Sequence, residues 1–219
     1  MKTKSIALGL LMALSVTSVT FAQQNSGMAG SGSTNMVGKE SKSAFDRMNQ
    51  KGAAAVSAIK PTSAKLSSAD QDLMMQVAKG GMMQLEVSKI AVQSASSDEV
   101  KQLAQAEVQE QTGLSAKLKE IADAKGVTLP SSPDAETQAM VTKMQGLSGA
   151  DFDKMYVQES GVKGHEKLDA VMSQVKSSAS DSNLKDVAKA AHPLVKTHLK
   201  VAKEVVSKMS GGSTSGGSK

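Results

Sequence analysis

The chain has 219 residues, with 26 Lys+Arg, 21 Asp+Glu, no cysteine and a formal net charge of +5. The absence of cysteine excludes disulfide bonds, a thiolate nucleophile and thiolate metal sites. The modest basic excess forms no stripe with interleaved aromatic residues, which argues against a nucleic-acid partner. Because Trp is absent and only three Phe and one Tyr occur, the apolar volume comes from Ala, Val, Leu and Met, and we predict an all-α fold.

Residues 1–22 have the pattern of a secretory signal peptide. Lys2 and Lys4 precede a short apolar run, and Thr20 and Ala22 occupy the −3 and −1 positions of a cleavage site. The run is too short to cross roughly 30 Å of hydrocarbon. We therefore predict cleavage near Ala22, a periplasmic or secreted protein in which outer-membrane association stays open, and no transmembrane span. Loss of the two lysines lowers the formal charge to +3.

Low-complexity sequence flanks the central part of the chain. Residues 23–66 are predicted to be a linker, of which 23–41 is a flexible leader rich in Gly, Ser and Asn. A short helix is predicted at 42–59, and the sequence does not say whether it docks. Residues 210–219 are a Gly/Ser tail that is predicted to be disordered.

The central segment, 67–209, contains four long helical patterns and a short one. The long patterns cover roughly 69–95, 97–125, 151–178 and 182–209, and the short one covers 134–145. Ser68 is predicted as the first N-cap, Gly126 is a good C′ residue, and Pro193 lies inside the last pattern. Helices of roughly 25 residues are about 38 Å long, which predicts a single four-helix bundle domain.

Carboxylates interrupt the apolar face of the second long helix. Val100, Leu103, Leu114 and Leu118 follow helical spacing, and Glu107 and Glu110 fill the gap between them. An unpaired buried carboxylate costs several kcal/mol. Either this face of the helix is partly solvated, or the two acids lie inside the protein and bind a ligand.

The other long helices show similar interruptions. Glu159 and His165 break the stripe that runs from Phe152 to Val175, and His198 breaks the stripe of the last helix. On the first long helix Glu86 lies between apolar residues at i±4. The candidate metal ligands are Glu86, Glu107, Glu110, Glu159, His165 and His198.

Two interpretations of these six residues stay open. Carboxylate and imidazole side chains that project into a bundle core are the ligands of di-metal bundle proteins, which indicates a divalent metal. However, the Glu-x-x-His signature is incomplete, because Val162 and Val195 stand three residues before the two histidines. Acids can also lie on half-exposed helix faces with their charged ends in water. On that second interpretation no cofactor is expected.

Enzyme motifs are missing from the sequence. It contains no Gly-rich phosphate loop after a strand, no G-x-S-x-G and no His-Glu-x-x-His. No catalytic or cofactor-binding residue is therefore assigned, and the sequence favours a protein without enzymatic activity.

Five ordered motifs resemble one bacterial exported family. They are "AKGGMMQLEVSKIA" (78–91), "ADAKGVTLP" (122–130), "LSGADFDKMYV" (147–157), "GHEKLDAV" (164–171) and "AHPLVKTHLKVAKEV" (191–205). Together they resemble the family catalogued as domain of unknown function 4142, whose members are described as outer-membrane or exported proteins. The resemblance implies a ferritin-like four-helix bundle and no defined reaction.

The resemblance can be carried over residue by residue. Glu86 corresponds to the family's acidic position after paired glycines, and His165 and His198 correspond to its histidines on the third and fourth helices. The "FD…Y" segment corresponds to Phe152, Asp153 and Tyr156. Two positions depart from the pattern: Glu110-Gln111 stands where the family usually has Asp-His, and Gly164 stands where it has Asp.

Three hypotheses of function follow. The first is a non-catalytic exported bundle that binds an unidentified protein or envelope partner and protects the envelope under stress. The second is a ferritin-like bundle that binds metal or carries out redox chemistry through inner Glu and His side chains. The third is an adhesion or matrix role of the leader and the tail.

Overall fold

The structure is a computed structural model that describes residues 35–211. The predicted signal peptide, most of the predicted leader and residues 212–219 of the tail lie outside the described residues. Among residues 35–211 the β-structure is one antiparallel ladder of two short strands, β1 (Met36–Val37) and β2 (Glu40–Ser41). Helices make up most of the rest. The all-α prediction is confirmed.

The α-helices of the described chain follow in this order: α1 (Lys42–Ser57), α2 (Ser68–Ser94), α3 (Asp98–Lys125), α4 (Ala135–Gln145), α5 (Gly149–Met155), α6 (His165–Ser178) and α7 (Ser182–Gly211). A π-helical segment, Tyr156–Gly164, joins α5 to α6. The residues at both of its junctions have right-handed helical φ and ψ, so residues 149–178 form one continuous rod. This rod packs with α2, α3 and α7 as a helical bundle.

Local sequence explains where the helices begin and end. The hydroxyl of Ser67 accepts a hydrogen bond from the Asp70 amide at 3.1 Å, so Ser67 rather than Ser68 is the N-cap of α2. Gly126 ends α3 with φ 70°, a left-handed conformation that glycine adopts without strain. Asp134 caps α4 by accepting from the Thr137 amide at 3.0 Å.

Two helical hairpins, α2–α3 and α6–α7, have matching loops. The sequences "SASSDEV" (94–100) and "SASDSNL" (178–184) both place an extended alanine directly after the helix. In each case an aspartate of the other hairpin accepts from the loop: Asp153 from the Ser96 and Ser97 amides at 2.9 and 2.8 Å, and Asp70 from the Ser180 amide at 2.9 Å. These hydrogen bonds connect the two hairpins at both ends of the bundle.

The bundle interior consists of two apolar clusters with a polar layer between them. The first cluster includes Leu73, Leu118, Leu168 and Val195, and the second includes Val87, Leu103, Val157 and Val201. Each helix of the bundle has buried polar residues between the two clusters or, in the case of Ser88, at the edge of the second: Gln84 and Ser88, Glu107, Glu110 and Gln111, Ser160 and His165, and His198. We call these eight residues the polar layer.

The segment 35–66, predicted as part of a linker, packs against the bundle. Helix α1 lies on α3 and α7, and Phe45 and Val56 are buried. Gly38, at φ 65°, makes the turn between β1 and β2, and its amide donates to Glu99 Oε1 at 2.7 Å. Ile59 and Leu66 join the first apolar cluster. Phe45 and Ile59 lie on the short helix predicted at 42–59, whose docking could not be predicted, and both are buried against the bundle.

Among the helices of residues 35–211, none combines the length and the apolar character that a membrane crossing requires.

Candidate metal centre

Four ionisable side chains of the polar layer come from three different helices, α3, α6 and α7. Glu107 and Glu110 lie one turn apart on the inner face of α3, His165 begins α6, and His198 lies between Leu194 and Val201 on α7. Their residues are 0–6% exposed. The apolar stripes on either side hold the rods together, and this packing carries the four polar groups into the interior. We call them the Glu–His cluster.

The Glu107 carboxylate is the centre of this cluster. His165 Nε2 lies 2.6 Å from Glu107 Oε1, and His198 Nδ1 contacts the same oxygen. Glu110 Oε2 lies 3.2 Å from His198 Nδ1. One ligand atom from each of Glu107, His165 and His198 lies within 4.8 Å of the others, which is close enough for all three to bind one ion.

The outward-facing nitrogen of each imidazole lies near an oxygen acceptor. His165 Nδ1 is 3.1 Å from the Ser160 carbonyl oxygen and 3.0 Å from Gln84 Nε2, and His198 Nε2 is 2.6 Å from Asn49 Oδ1. If these outer nitrogens carry the protons, the inner nitrogens present lone pairs towards Glu107. Metal-bound histidines are held in this way, by donating the second N–H to a carbonyl or carboxylate oxygen.

Burial and mutual charge shift the pKa values of the cluster. Burial opposes ionisation of Glu107, but the charges of His165 and His198 and their hydrogen bonds hold the pKa of its carboxyl far below the usual range. Burial also opposes protonation of His165, but the Glu107 charge and hydrogen bond raise the pKa of that imidazole. Burial, reinforced by the Glu107 charge, raises the pKa of the Glu110 carboxyl well above its ordinary value.

Several buried polar atoms of the polar layer lack a hydrogen-bond partner. They include Glu107 Oε2, both carboxylate oxygens of Glu110 and both polar atoms of the Gln111 carboxamide. The Glu110 contact with His198 is an ion-pair distance without hydrogen-bond geometry. Buried polar groups are nearly always satisfied in native proteins. Unpartnered carboxylate oxygens beside two imidazoles fit a cation site, because a cation can be bound by both kinds of group.

The π-helical segment shapes one wall of the cluster. Its wider turns let the Ser160 carbonyl face inward, where it accepts from Gln84 Nε2 at 3.0 Å and meets His165. A Cβ on Gly164 would lie 2.8 Å from Gln84 Nε2, so glycine is needed for Gln84 to approach this closely. Short π-helical insertions in α-helices occur frequently at functional sites.

Two of the six predicted ligands lie outside the cluster. Glu86 and Glu159 are half-buried at the surface and pair with Lys89 and Lys163, each at 2.8 Å. The inner face of α2 follows Val77, Gly81, Gln84 and Ser88, which leaves Glu86 on a neighbouring face. The π-helical turns rotate Glu159 away from the line between Phe152 and His165.

Three further residues around the cluster were not predicted. Asn49 contacts His198 from α1, Gln84 supports His165, and Tyr156 pairs with Ser88 at 2.9 Å between their hydroxyl oxygens. Burial, reinforced by the Glu107 charge, raises the pKa of the Tyr156 phenol. The steps of four, three and four from Val77 to Ser88 could have identified Gln84. No sequence pattern links Asn49 to His198.

A protein-family model described as Domain of unknown function (DUF4142) matches residues 55–205. The chain belongs to this family. The DUF4142 match includes all four residues of the Glu–His cluster and begins inside α1, so Asn49 precedes it. No curated protein and no solved structure matches the chain. The resemblance noted from the five motifs is thus confirmed at the level of the family.

Proposed function

We propose that the protein binds one divalent transition-metal ion per chain between α3, α6 and α7. The ligands are Glu107, His165 and His198, with Glu110 as a fourth. The observation that carries the proposal is the convergence of Glu107 and two imidazole nitrogens within 4.8 Å in the interior, beside carboxylate oxygens without partners.

Charge balance supports this proposal. Two buried carboxylates carry two negative charges, and burying unpaired charge costs several kcal/mol per ion. Protons can offset the charges only if an imidazole is protonated and Glu110 holds a proton. A divalent ion offsets both carboxylates at once and leaves both imidazoles neutral, which is the state in which they bind metal.

The donor set restricts the choice of metal. Two imidazoles and two carboxylates suit Zn²⁺, Fe²⁺ or Mn²⁺ better than soft Cu⁺, which prefers thiolate and thioether ligands. Carboxylate and imidazole ligands together exclude neither a structural nor a redox-active ion. The proposal therefore names a binding function and no reaction.

This function combines the first two hypotheses drawn from the sequence. A non-catalytic bundle that holds a metal ion could protect the envelope by sequestering it. The export signal at residues 1–22 remains a prediction that places this binding outside the cytoplasm. Unidentified protein or envelope partners are not needed for it.

Metal loading of matched variants tests the proposal. Purified wild-type protein, stripped with chelator, is incubated with Zn²⁺, Mn²⁺ or anaerobic Fe²⁺, desalted and submitted to elemental analysis. We expect about one ion per chain for at least one metal, and a loss of at least about tenfold in Glu107→Gln and His198→Asn. Circular dichroism establishes that each variant is folded.

Two controls come from the same chain. Glu86→Gln changes an acid that the sequence places near the cluster and the structure places at the surface. His192→Asn changes the one other histidine, which pairs with Asp169 at 2.7 Å. Both should load like wild type. Less than about a tenth of an ion in the wild-type protein, or undiminished loading of Glu107→Gln, would show that the cluster is a proton-satisfied ion network without a metal.

A further inference from the structure

A polar cavity lies between α1 and α3, outside the Glu–His cluster. Its volume is 180 Å³, and it is lined by Lys42, Asp46, Asn49 and Gln50 from α1 and by Gln102, Gln105, Ala106 and Gln109 from α3. Five of these eight are carboxamides, and the Lys42 ammonium pairs with the Asp46 carboxylate at 2.5 Å. Such a lining is unusual between two packed helices, which normally bury apolar side chains.

The cavity reaches the cluster through Asn49. Asn49 lines the cavity, and its Oδ1 lies 2.6 Å from His198 Nε2. Ala106, which also lines it, directly precedes Glu107. From outside to inside, exposure falls from the exposed Gln50 and Gln105, through the half-buried Asn49, to the fully buried His198. The carboxamides therefore connect solvent to the cluster.

Unpartnered atoms lie along the same path. Asn49 Nδ2 and Gln102 Oε1 are buried and have no hydrogen-bond partner among the described residues. Buried carboxamide atoms without protein partners are usually bonded to water or an ion. At a share of about 30 Å³ per water molecule, the cavity has room for roughly six.

We infer that this cavity is the path by which a hydrated divalent cation reaches the Glu–His cluster, and that Gln102 and Asn49 form its inner neck. The inference rests on the proposed function. The free Gln102 oxygen can replace a hydration water of a cation. The Asn49 oxygen contacts His198, so the free Asn49 Nδ2 can only donate to water that the ion carries. Neither carboxamide has a charge that would hold the ion. An ion passes quickly when each site on its path binds it weakly.

Two other cavities of the described residues do not offer such a path. A pocket of 570 Å³ between α2, α3 and the segment after Gly126 is lined mainly by apolar residues such as Met82, Leu118 and Leu129. A pocket of 170 Å³ lined by Gln158, Val206 and Met209 has a similar size to the carboxamide cavity, but none of its lining residues touches the cluster. The second pocket supplies a matched control.

Loading kinetics of Gln102→Leu tests the path separately from the site. Leucine keeps the approximate size of glutamine and removes the oxygen. The metal-free wild-type protein and the variant are mixed with Zn²⁺ in a stopped-flow instrument, with a chromophoric chelator as the reporter. Release into excess chelator is measured on the loaded proteins, and elemental analysis gives the equilibrium occupancy.

We expect both loading and release to slow by at least about tenfold, with the final occupancy unchanged. A path residue changes the barrier in both directions and leaves the binding equilibrium as it was, whereas the loss of a ligand speeds release. Gln158→Leu, in the pocket of similar size, should load and release within twofold of wild type. If Gln102→Leu does not fold, Gln105→Leu takes its place.

Each outcome decides between the claims. If Gln102→Leu loads and releases the ion at wild-type rates, the cavity is not the path. If this variant changes the affinity without slowing the loading, the cavity is again not the path. Neither result would contradict the metal site itself. Slower loading in Gln158→Leu to the same degree would also overturn it. A wild-type protein that binds no ion would overturn the proposed function, and this inference with it.

Discussion

Glu107 and His165 are 58 residues apart in the chain and meet in the bundle interior, where Glu107 Oε1 lies 2.6 Å from His165 Nε2 and both side chains are 1% exposed. Neither group lies at the surface, where pairing would contribute little. The contact crosses the bundle interior, because α3 and the rod that carries α6 both pack against α2 and α7. The fold therefore sets the distance between two groups that bind protons or a metal.

The stability of the metal-free protein should fall as the pH rises from 5.5 to 8. The raised pKa of His165 contributes stability that is fully present below pH 6.5 and is lost as the pH rises through the folded value. The raised pKa of Glu110 acts in the same direction, because above pH 4.5 folding requires proton uptake. We expect thermal unfolding to occur at a lower temperature at pH 8 than at pH 5.5.

Glu107 opposes this trend only at low pH. Its lowered pKa contributes stability that is present above pH 4.5 and is lost as the pH falls through the folded value. The other ionisable groups here are His198, which belongs to the cluster, and Tyr156, which faces it. Glu110→Gln should flatten the decline above pH 5.5. An unfolding temperature that rises from pH 5.5 to 8 in metal-free protein would contradict this assignment of protons.

A bound metal should reverse this dependence on pH. The ion needs deprotonated carboxylates and neutral imidazoles, so binding releases protons and is stronger at pH 8 than at pH 5.5. Free metal at 100 times its Kd at pH 8 should stabilise the protein by about 2.7 kcal/mol, and the same metal concentration should stabilise it less at pH 5.5. The stabilisation at pH 8 corresponds to roughly 5–10 °C in unfolding temperature. Differential scanning fluorimetry with and without metal measures it, and an equal or smaller shift at pH 8 would count against metal ligation by the cluster.

Much of this arrangement follows from helical spacing, and the rest depends on packing. Regular steps of three and four placed Glu107, Glu110 and His198 on inner faces, where the structure has them. Glu159 was misplaced because a π-helical segment has more residues per turn than an α-helix, which changes the face on which Glu159 lies. No pattern in the sequence predicted that segment. Glu86 was misplaced because its apolar neighbours at i±4, Met82 and Ile90, are themselves only half-buried, whereas the inner face of α2 follows Gln84 and Ser88.

Helix α1 marks a second limit of prediction. Its amphipathic pattern is weak, and its position depends on contacts with residues that lie far along the chain. A Cβ on Gly52 would lie 2.2 Å from Leu194 Cδ1, so this glycine allows α1 to approach α7. From the sequence, Gly52 only weakened the predicted helix. Its role becomes visible once the neighbouring helix is known.

The substitution Gly52→Ala should therefore destabilise the protein although alanine is the better helix former. Overpacking of this kind typically costs about 1–3 kcal/mol, which lowers the unfolding temperature by about 2–4 °C per kcal/mol. Gly113→Ala is the matched control, because no atom lies within 4 Å of its added Cβ. That variant should gain roughly 0.5–1 kcal/mol. Equal effects of the two changes would contradict the close approach of α1.

The substitution Asp153→Ala should weaken the connection between the two hairpins. It removes the acceptor of the Ser96 and Ser97 amides and of the Ser96 hydroxyl, which lies 2.6 Å from Asp153 Oδ2. Leaving such donors unsatisfied costs about 1–3 kcal/mol. Chemical denaturation measures the loss. Asp151→Ala, an exposed change on the same helix, should stay close to wild type, and a loss as large as that of Asp153→Ala would contradict the capping role.

The central claim is that Glu107, His165 and His198 share one ion. X-ray absorption spectroscopy of protein loaded with one equivalent of Zn²⁺ tests it directly, because imidazole rings give a recognisable scattering pattern beyond the first shell of nitrogen and oxygen ligands. We expect about two imidazole ligands per ion, from His165 and His198, at Zn–N distances of about 2.0–2.1 Å. The same number is expected in His192→Asn. A spectrum without imidazole scattering, or one in which His192→Asn loses an imidazole, would contradict this claim.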